Sequence, residues 1–312
     1  MRMETIILVT QVKTCGYNLN NFLIKYMIIF KNIISKRFSC LFSILFLYNS
    51  AYCQIPVPKK IVSLAPAITE QLFLLGAGDD IVGVTTYCEF PEEAKQKEKV
   101  GTYLEPNLEK LLRLKPDLVL FAKEGHNKET VDRMEALGLK VAVLAQCNNY
   151  EEIFTQFIEI GKLTSRENKA KEIITKLRKR IKTVSNKTKN LKKPKVFFQL
   201  GSNPLMTAAK NTFNNEMISL AGGENIARNS NIRYPRYNPE AVIRQNPDVI
   251  IFVNMGDTTE AEIEKWKKYP ELEAVKNNRI FMADTHKTCS PTPVNFVEAL
   301  EAFCTFIHPE LK

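Results

Sequence analysis

From position 60 onward the apolar residues fall into two alternating patterns. Short runs at 61–64, 81–85, 118–121 and 141–144 are mostly apolar and contain β-branched residues, which predicts strands buried on both faces of a parallel sheet. Between them, segments 67–75, 108–114 and 128–137 repeat apolar residues at helical spacing and end near Gly76, Pro116 and Gly138, residues that stop helices. Strand and helix in alternation predict an α/β lobe. Residues 165–189 then predict one long helix, with Ala170, Ile173, Ile174, Leu177, Ile181 and Val184 on one face and Lys and Arg on the other. At 1.5 Å per residue it would span about 40 Å, enough to run from one lobe to a second. Lys192, Lys193 and Pro194 close it, and apolar runs at 196–200, 249–253 and 280–282 predict another set of strands.

Two segments echo each other across that helix. Asn107-Leu108-Glu109 leads through Arg113 to Pro116-Asp117 and an apolar run, and Asn238-Pro239-Glu240 leads through Arg244 to Pro247-Asp248 and an apolar run at the same spacing. In each, an Asn can cap a helix, a Glu sits in its first turn, and Pro-Asp stops it before a buried strand. The expectation is two Rossmann-like α/β lobes with parallel-rich central sheets joined by one long rigid helix. The boundaries expected are 54–164 for the first lobe, 165–193 for the connecting helix and 194–312 for the second lobe.

The formal net charge of +10 raises nucleic acid as a partner, so its distribution matters. Residues 1–53 hold six basic residues against one acid, leaving +5 on the remainder, and no arginine-rich stripe with interleaved aromatics runs through it. Nucleic-acid binding is not expected. Residues 1–53 have the layout of an export signal: Lys31, Lys36 and Arg37 precede a short apolar run at 38–48, followed by small residues. The run is shorter than the roughly 20 residues of a membrane span. Cleavage after Cys53 would start the mature chain at Gln54, in the periplasm or on the extracytoplasmic face. A start at Met27 would keep the signal whole. A lipid anchor on Cys53 is the rival reading, and the bulky Tyr52 argues against it. The four remaining cysteines, Cys88, Cys147, Cys289 and Cys304, are widely spaced with no CxxC pair, so neither a disulfide scaffold nor a zinc site is expected.

An enzyme would need motifs the chain lacks. Gly76, Gly78 and Gly83 do not make the GxGxxG spacing, and there is no Walker loop and no GxSxG. Three histidines, His126, His286 and His308, are not spaced as a joint metal site. No catalytic residue, cofactor or structural metal is expected.

Several segments together resemble the periplasmic cobalamin-binding proteins of ABC importers. In the first lobe these are 61–70 (Ile-Val-Ser-Leu-Ala-Pro-Ala-Ile-Thr-Glu), 82–87 (Val-Gly-Val-Thr-Thr-Tyr), and Asn107-Leu108-Glu109 with Lys115-Pro116-Asp117. In the second they are 196–201 (Val-Phe-Phe-Gln-Leu-Gly), 220–225 (Leu-Ala-Gly-Gly-Glu-Asn), and Tyr234-Pro235 ahead of Glu240. The likeness covers roughly 60–309. It implies an interlobe cleft that captures cobalamin or a related corrinoid, and delivery by a free monomer to an ABC permease dimer. By position, it implies ligand contacts at Tyr87, Tyr103, Met206 and Tyr234. Tyr103 and Tyr234 stand where the family tends to place tryptophans, and Met206 where it tends to place a phenylalanine. Rigid aromatic faces with polar tips suit a flat macrocycle with amide arms, although each tyrosine also fits a half-buried loop anchor. The resemblance makes Asp284, Thr285, His286, Lys287 and Thr288 a ligand-contacting loop, with Thr288 in place of the usual arginine. His286 is either a ligand to the cargo's metal or a solvated loop histidine. Glu109 and Glu240 are implied docking acids for the permease. Otherwise they serve their helix dipoles and pair with Arg113 and Arg244. A ferric siderophore or haem receptor of the same fold is the alternative, which Arg233 and Arg236 beside Tyr234 keep open.

Overall fold

The computed structural model describes residues 57–123, 128–254 and 259–311. The expected export segment 1–53, with Cys53, and His126 lie outside these residues. The first lobe is built from β1 (Ile61–Ser63), α1 (Pro66–Leu74), β2 (Ile81–Val84), α2 (Leu108–Leu114), β3 (Leu118–Ala122), α3 (Lys128–Ala136) and β4 (Val141–Leu144). All pairings are parallel, in the order β2-β1-β3-β4. The order reverses between β1 and β3, the point at which an open α/β sheet leaves a crevice at the carboxyl ends of its strands.

Two helices connect the lobes, α4 (Tyr150–Leu163) and α5 (Glu167–Thr188). The long helix starts later than its sequence pattern predicts because Ser165 adopts a left-handed conformation, φ 57°, and breaks the chain between α4 and α5. Its end comes earlier as well, with a turn closed by the Leu191 N–H on the Thr188 carbonyl. The 22 residues of α5 reach about 33 Å. This helix is no bare strut. Ala170, Ile174, Leu177, Ile181 and Val184 are all buried in the main core. Arg178 is bonded to Glu151 on α4, with its Nη2 2.5 Å from Glu151 Oε2.

The second lobe contains β5 (Lys195–Ser202), β6 (Leu205–Thr207), α6 (Phe213–Leu220), β7 (Glu224–Asn225), α7 (Pro239–Gln245), β8 (Val249–Val253), α8 (Thr259–Lys267), α9 (Glu273–Lys276), β9 (Ile280–Ala283), α10 (Thr285–Cys289) and α11 (Pro293–Ile307). Strands β5, β8 and β9 run parallel, β7 adds a parallel pairing to the start of β5, and β6 returns antiparallel from it. Helix α11 packs against α5, and Arg180 of α5 holds Glu301 of α11 through two hydrogen bonds of 2.9 and 2.6 Å.

The echo in the sequence is an echo in three dimensions. Asn107 and Asn238 each cap a helix, accepting from the N–H of Lys110 and Ala241 at 2.9 and 2.8 Å. Both helices end on a left-handed residue, Lys115 and Asn246, each with φ 47°. The aspartates that follow clamp the entry to a neighbouring strand. Asp117 Oδ2 accepts from the Lys59 and Lys60 N–H groups at 2.8 and 2.9 Å, and Asp248 Oδ2 accepts from Lys195 N–H at 2.7 Å. The two N–H groups on Asp117 lower its pKa. The Arg pairing expected for Glu109 is not made, because Arg113 turns to Glu98 at 3.4 Å. Glu109 and Glu240 are both exposed, and neither makes an ion pair among the described residues.

Candidate functional site

The carboxyl ends of the first sheet and the α10 region of the second lobe enclose a cavity of about 550 Å³. Ala65, Tyr87, Ala122 and Ala145 reach it from the ends of β1 to β4, and Thr285, His286, Cys289 and Pro291 face them. Open α/β sheets place ligands at such ends.

Two loops carry the aromatic side. Cys88 is fully buried after β2, with its sulfur 3.0 Å from Thr85 Oγ1 and 3.2 Å from Thr69 Oγ1. That anchor turns Tyr87 and Phe90 outward on either side of it, 62% and 47% exposed. Tyr103 comes from a tight turn in which Gly101 bridges to Pro106, and the Gly101 carbonyl accepts from Thr86 N–H at 2.9 Å. The two tyrosine loops are thereby tied to each other.

The cavity floor crosses the lobes. Glu70 of α1 is buried, and its oxygens accept from Ser290 Oγ at 2.7 Å and Asn295 Nδ2 at 2.8 Å. His286 Nε2 lies 2.9 Å from Glu70 Oε1 without the alignment of a hydrogen bond. The His286 ring stacks on Phe90, with centroids 3.7 Å apart. Cys289 is exposed as a residue, yet its thiol is shielded, and burial raises its pKa to about 11, which keeps it a neutral thiol. Among the described residues no three His, Cys, Asp or Glu side chains form a metal cluster.

Of the residues singled out from sequence, Tyr87, Tyr103, Thr285 and His286 line this one cavity. Met206, Tyr234, Asp284, Lys287 and Thr288 are not among its lining residues. The expected loop at 284–288 is in fact the first turn of α10. Asp284 caps it, accepting from Lys287 N–H at 3.0 Å. Lys287 pairs with Glu298 at 2.8 Å, and this contact raises the lysine pKa. Thr288 is buried and its carbonyl accepts from Asn214 Nδ2 at 2.9 Å. Met206 is half-buried on β6, where it bridges to Arg236. Tyr234 packs against the main core with the Arg233 guanidinium 5.4 Å from its ring centre. Residues the sequence pattern does not single out, above all Glu70 and Phe90, complete the cavity. Glu70 does carry a signal, since it is the one charged residue of α1.

Comparison with known proteins follows the same geometry. A family model described as periplasmic binding protein matches residues 61–286. The chain belongs to the periplasmic binding protein family. An uncharacterized ABC transporter substrate-binding lipoprotein of Bacillus subtilis is 33% identical over 260 residues, covering 81% of each chain. The crystal structure of the periplasmic vitamin B12 binding protein of Vibrio cholerae superposes with a TM-score of 0.71 at 27% identity, covering 82% of this chain and 99% of the other. A possible iron-binding periplasmic solute-binding protein of Staphylococcus epidermidis superposes with a TM-score of 0.71 at 31% identity, covering 81% and 99%. Members of this family are substrate-binding transport proteins, so the cleft serves capture and delivery rather than catalysis.

Proposed function

We propose that this protein captures cobalamin or a related corrinoid in the interlobe cavity and hands it to an ABC permease. The observation that carries this reading is the cavity's chemistry. Tyr87, Phe90 and Tyr103 offer aromatic faces, Gln146 and Gln156 offer amides, and among the described lining residues there is no lysine or arginine, while Glu70 and Glu89 are acids. A ferric siderophore or a haem brings acidic oxygens that call for clustered cations. A corrinoid brings a flat ring and neutral amide arms, which suit rigid aromatic walls and a few polar groups. The likeness to the vitamin B12 binding protein of Vibrio cholerae supports the same choice. His286 in the cavity wall favours haem as a second reading, through an imidazole bond to iron.

Purified protein titrated by calorimetry with cyanocobalamin, cobinamide, haem and a ferric hydroxamate decides between them. Heat with the corrinoids is expected, and binding of haem alone would transfer the assignment to the second reading. In this proposal Tyr87, Tyr103, Thr285 and His286 contact the ligand, and the exposed acids Glu109 and Glu240 meet basic sockets on the permease, one per lobe. An export signal over 1–53 brings the chain to the extracytoplasmic face. The mass of the mature chain distinguishes cleavage there from lipidation of Cys53.

A further inference from the structure

Beside the aromatic cavity lies a second compartment of about 500 Å³, and Gln146 lines both. Its walls come from the facing starts of α4 and α6, one from each side of the interlobe gap, with Arg233 between them. Its acids are already engaged. Glu152 accepts from Asn148 N–H at 2.7 Å, from Asn148 Nδ2 at 2.8 Å and from Asn149 Nδ2 at 2.8 Å. Glu216 accepts from Tyr150 N–H at 2.7 Å, and burial raises its pKa.

The donors are less committed. Arg233 uses Nε on the Asn211 carbonyl at 2.9 Å and rests over Tyr234, while its two terminal nitrogens have no acceptor among the described residues. Asn215 accepts from Asn225 Nδ2 at 2.9 Å through Oδ1, which leaves its own Nδ2 without an acceptor among the described residues. The compartment therefore presents donors to something rich in acceptor oxygens, in direct continuity with the place assigned to a flat ring.

We propose that this hollow is a subsite for the phosphate-bearing nucleotide loop of a corrinoid, with Arg233 donating to the phosphate and Asn215 to a neighbouring oxygen. The inference rests on the corrinoid reading, and it makes the hollow the part of the cleft that tells a complete cobalamin from cobinamide, which has the ring and lacks the loop. A charge-assisted bond from a guanidinium to a phosphate is among the stronger hydrogen bonds available to a side chain.

The test is a pair of calorimetric titrations, cyanocobalamin and cobinamide, on the full protein and on Arg233→Ala, with Arg236→Ala as a control outside the hollow. Arg233→Met retains the stem on Tyr234 should the alanine variant melt early. The wild type is expected to prefer cyanocobalamin, and loss of the guanidinium to weaken cyanocobalamin by about tenfold while leaving cobinamide within about twofold. Equal losses for both ligands, or no loss for either, overturn the subsite while the corrinoid reading stands. No heat from either ligand on the wild type removes that reading and the subsite with it.

Discussion

At Gly101 a single hydrogen, where other residues carry a side chain, sets the geometry of two tyrosines. Its φ is +97°, and a Cβ there would lie 2.5 Å from the Glu105 carbonyl oxygen, inside the turn that presents Tyr103. The same glycine carbonyl holds the backbone at Thr86, one residue before Tyr87. Gly101→Ala is expected to cost about 1–3 kcal/mol of stability through the strained backbone and to weaken ligand binding about tenfold by displacing an aromatic contact. Thermal melting and calorimetry on the same variant check both, and unchanged affinity would mean that the ligand does not touch these loops. Tyr87 is legible through the family resemblance, which implies a ligand-contacting tyrosine just beyond the second strand, Ile81–Val84. Phe90 is not, since its place depends on Cys88 being pinned by Thr69 from another element, a contact between residues 19 apart that no local pattern encodes. Asp284, Lys287 and Thr288 show the converse: their order in the chain matches a binding loop, but capping, pairing with Glu298 and burial engage all three elsewhere.

Helices α4 and α6 meet through one carboxylate. Glu216 of α6 accepts from the backbone N–H that opens α4, and desolvation raises its pKa above that of an ordinary glutamate. A carboxylate with a raised folded value contributes stability below its unfolded pKa of about 4.3, and the contribution is lost as the pH rises through the folded value. Glu216→Gln keeps an acceptor and removes the charge, so it should raise the melting temperature at pH 7 and flatten the decline in stability above about pH 4.3. A melt series from pH 4 to 8 reads this, and a variant that melts lower throughout would show that the charge is an asset. Glu151 has the opposite sign: the Arg178 guanidinium lowers its pKa, giving stability that is present above the unfolded value and lost as the pH falls through the folded one. Both helices bear on how far elements can be read from sequence. Helix α4 carries a regular stripe, Ile153, Phe154, Phe157 and Ile160, behind the cap Asn149, though it lies outside the elements marked by the alternating pattern. Helix α11 offers no such stripe, because nine of its 15 residues are buried and its apolar positions surround it.

Across the molecule, the repeated Asn-Glu-Asp arrangement puts an exposed acid on each lobe, without an ion-pair partner among the described residues. That duplication is visible as an equal spacing in the chain, whereas the freedom of Glu109 is not, since it depends on Arg113 turning to Glu98. Reversing both charges, Glu109→Lys with Glu240→Lys, is expected to weaken association with the permease by on the order of tenfold or more and to leave ligand affinity as it was. Pull-down with the reconstituted permease and calorimetry with the ligand separate the two effects, and a parallel loss in both would move these acids into the cavity's account. The oily stripe along α5 has a different consequence. Because it belongs to a core that also contains residues of both sheets, the two halves are welded rather than tethered. Cutting the chain on either side of α5 would yield two sticky fragments instead of two working domains, and heat should melt the intact molecule in one cooperative step.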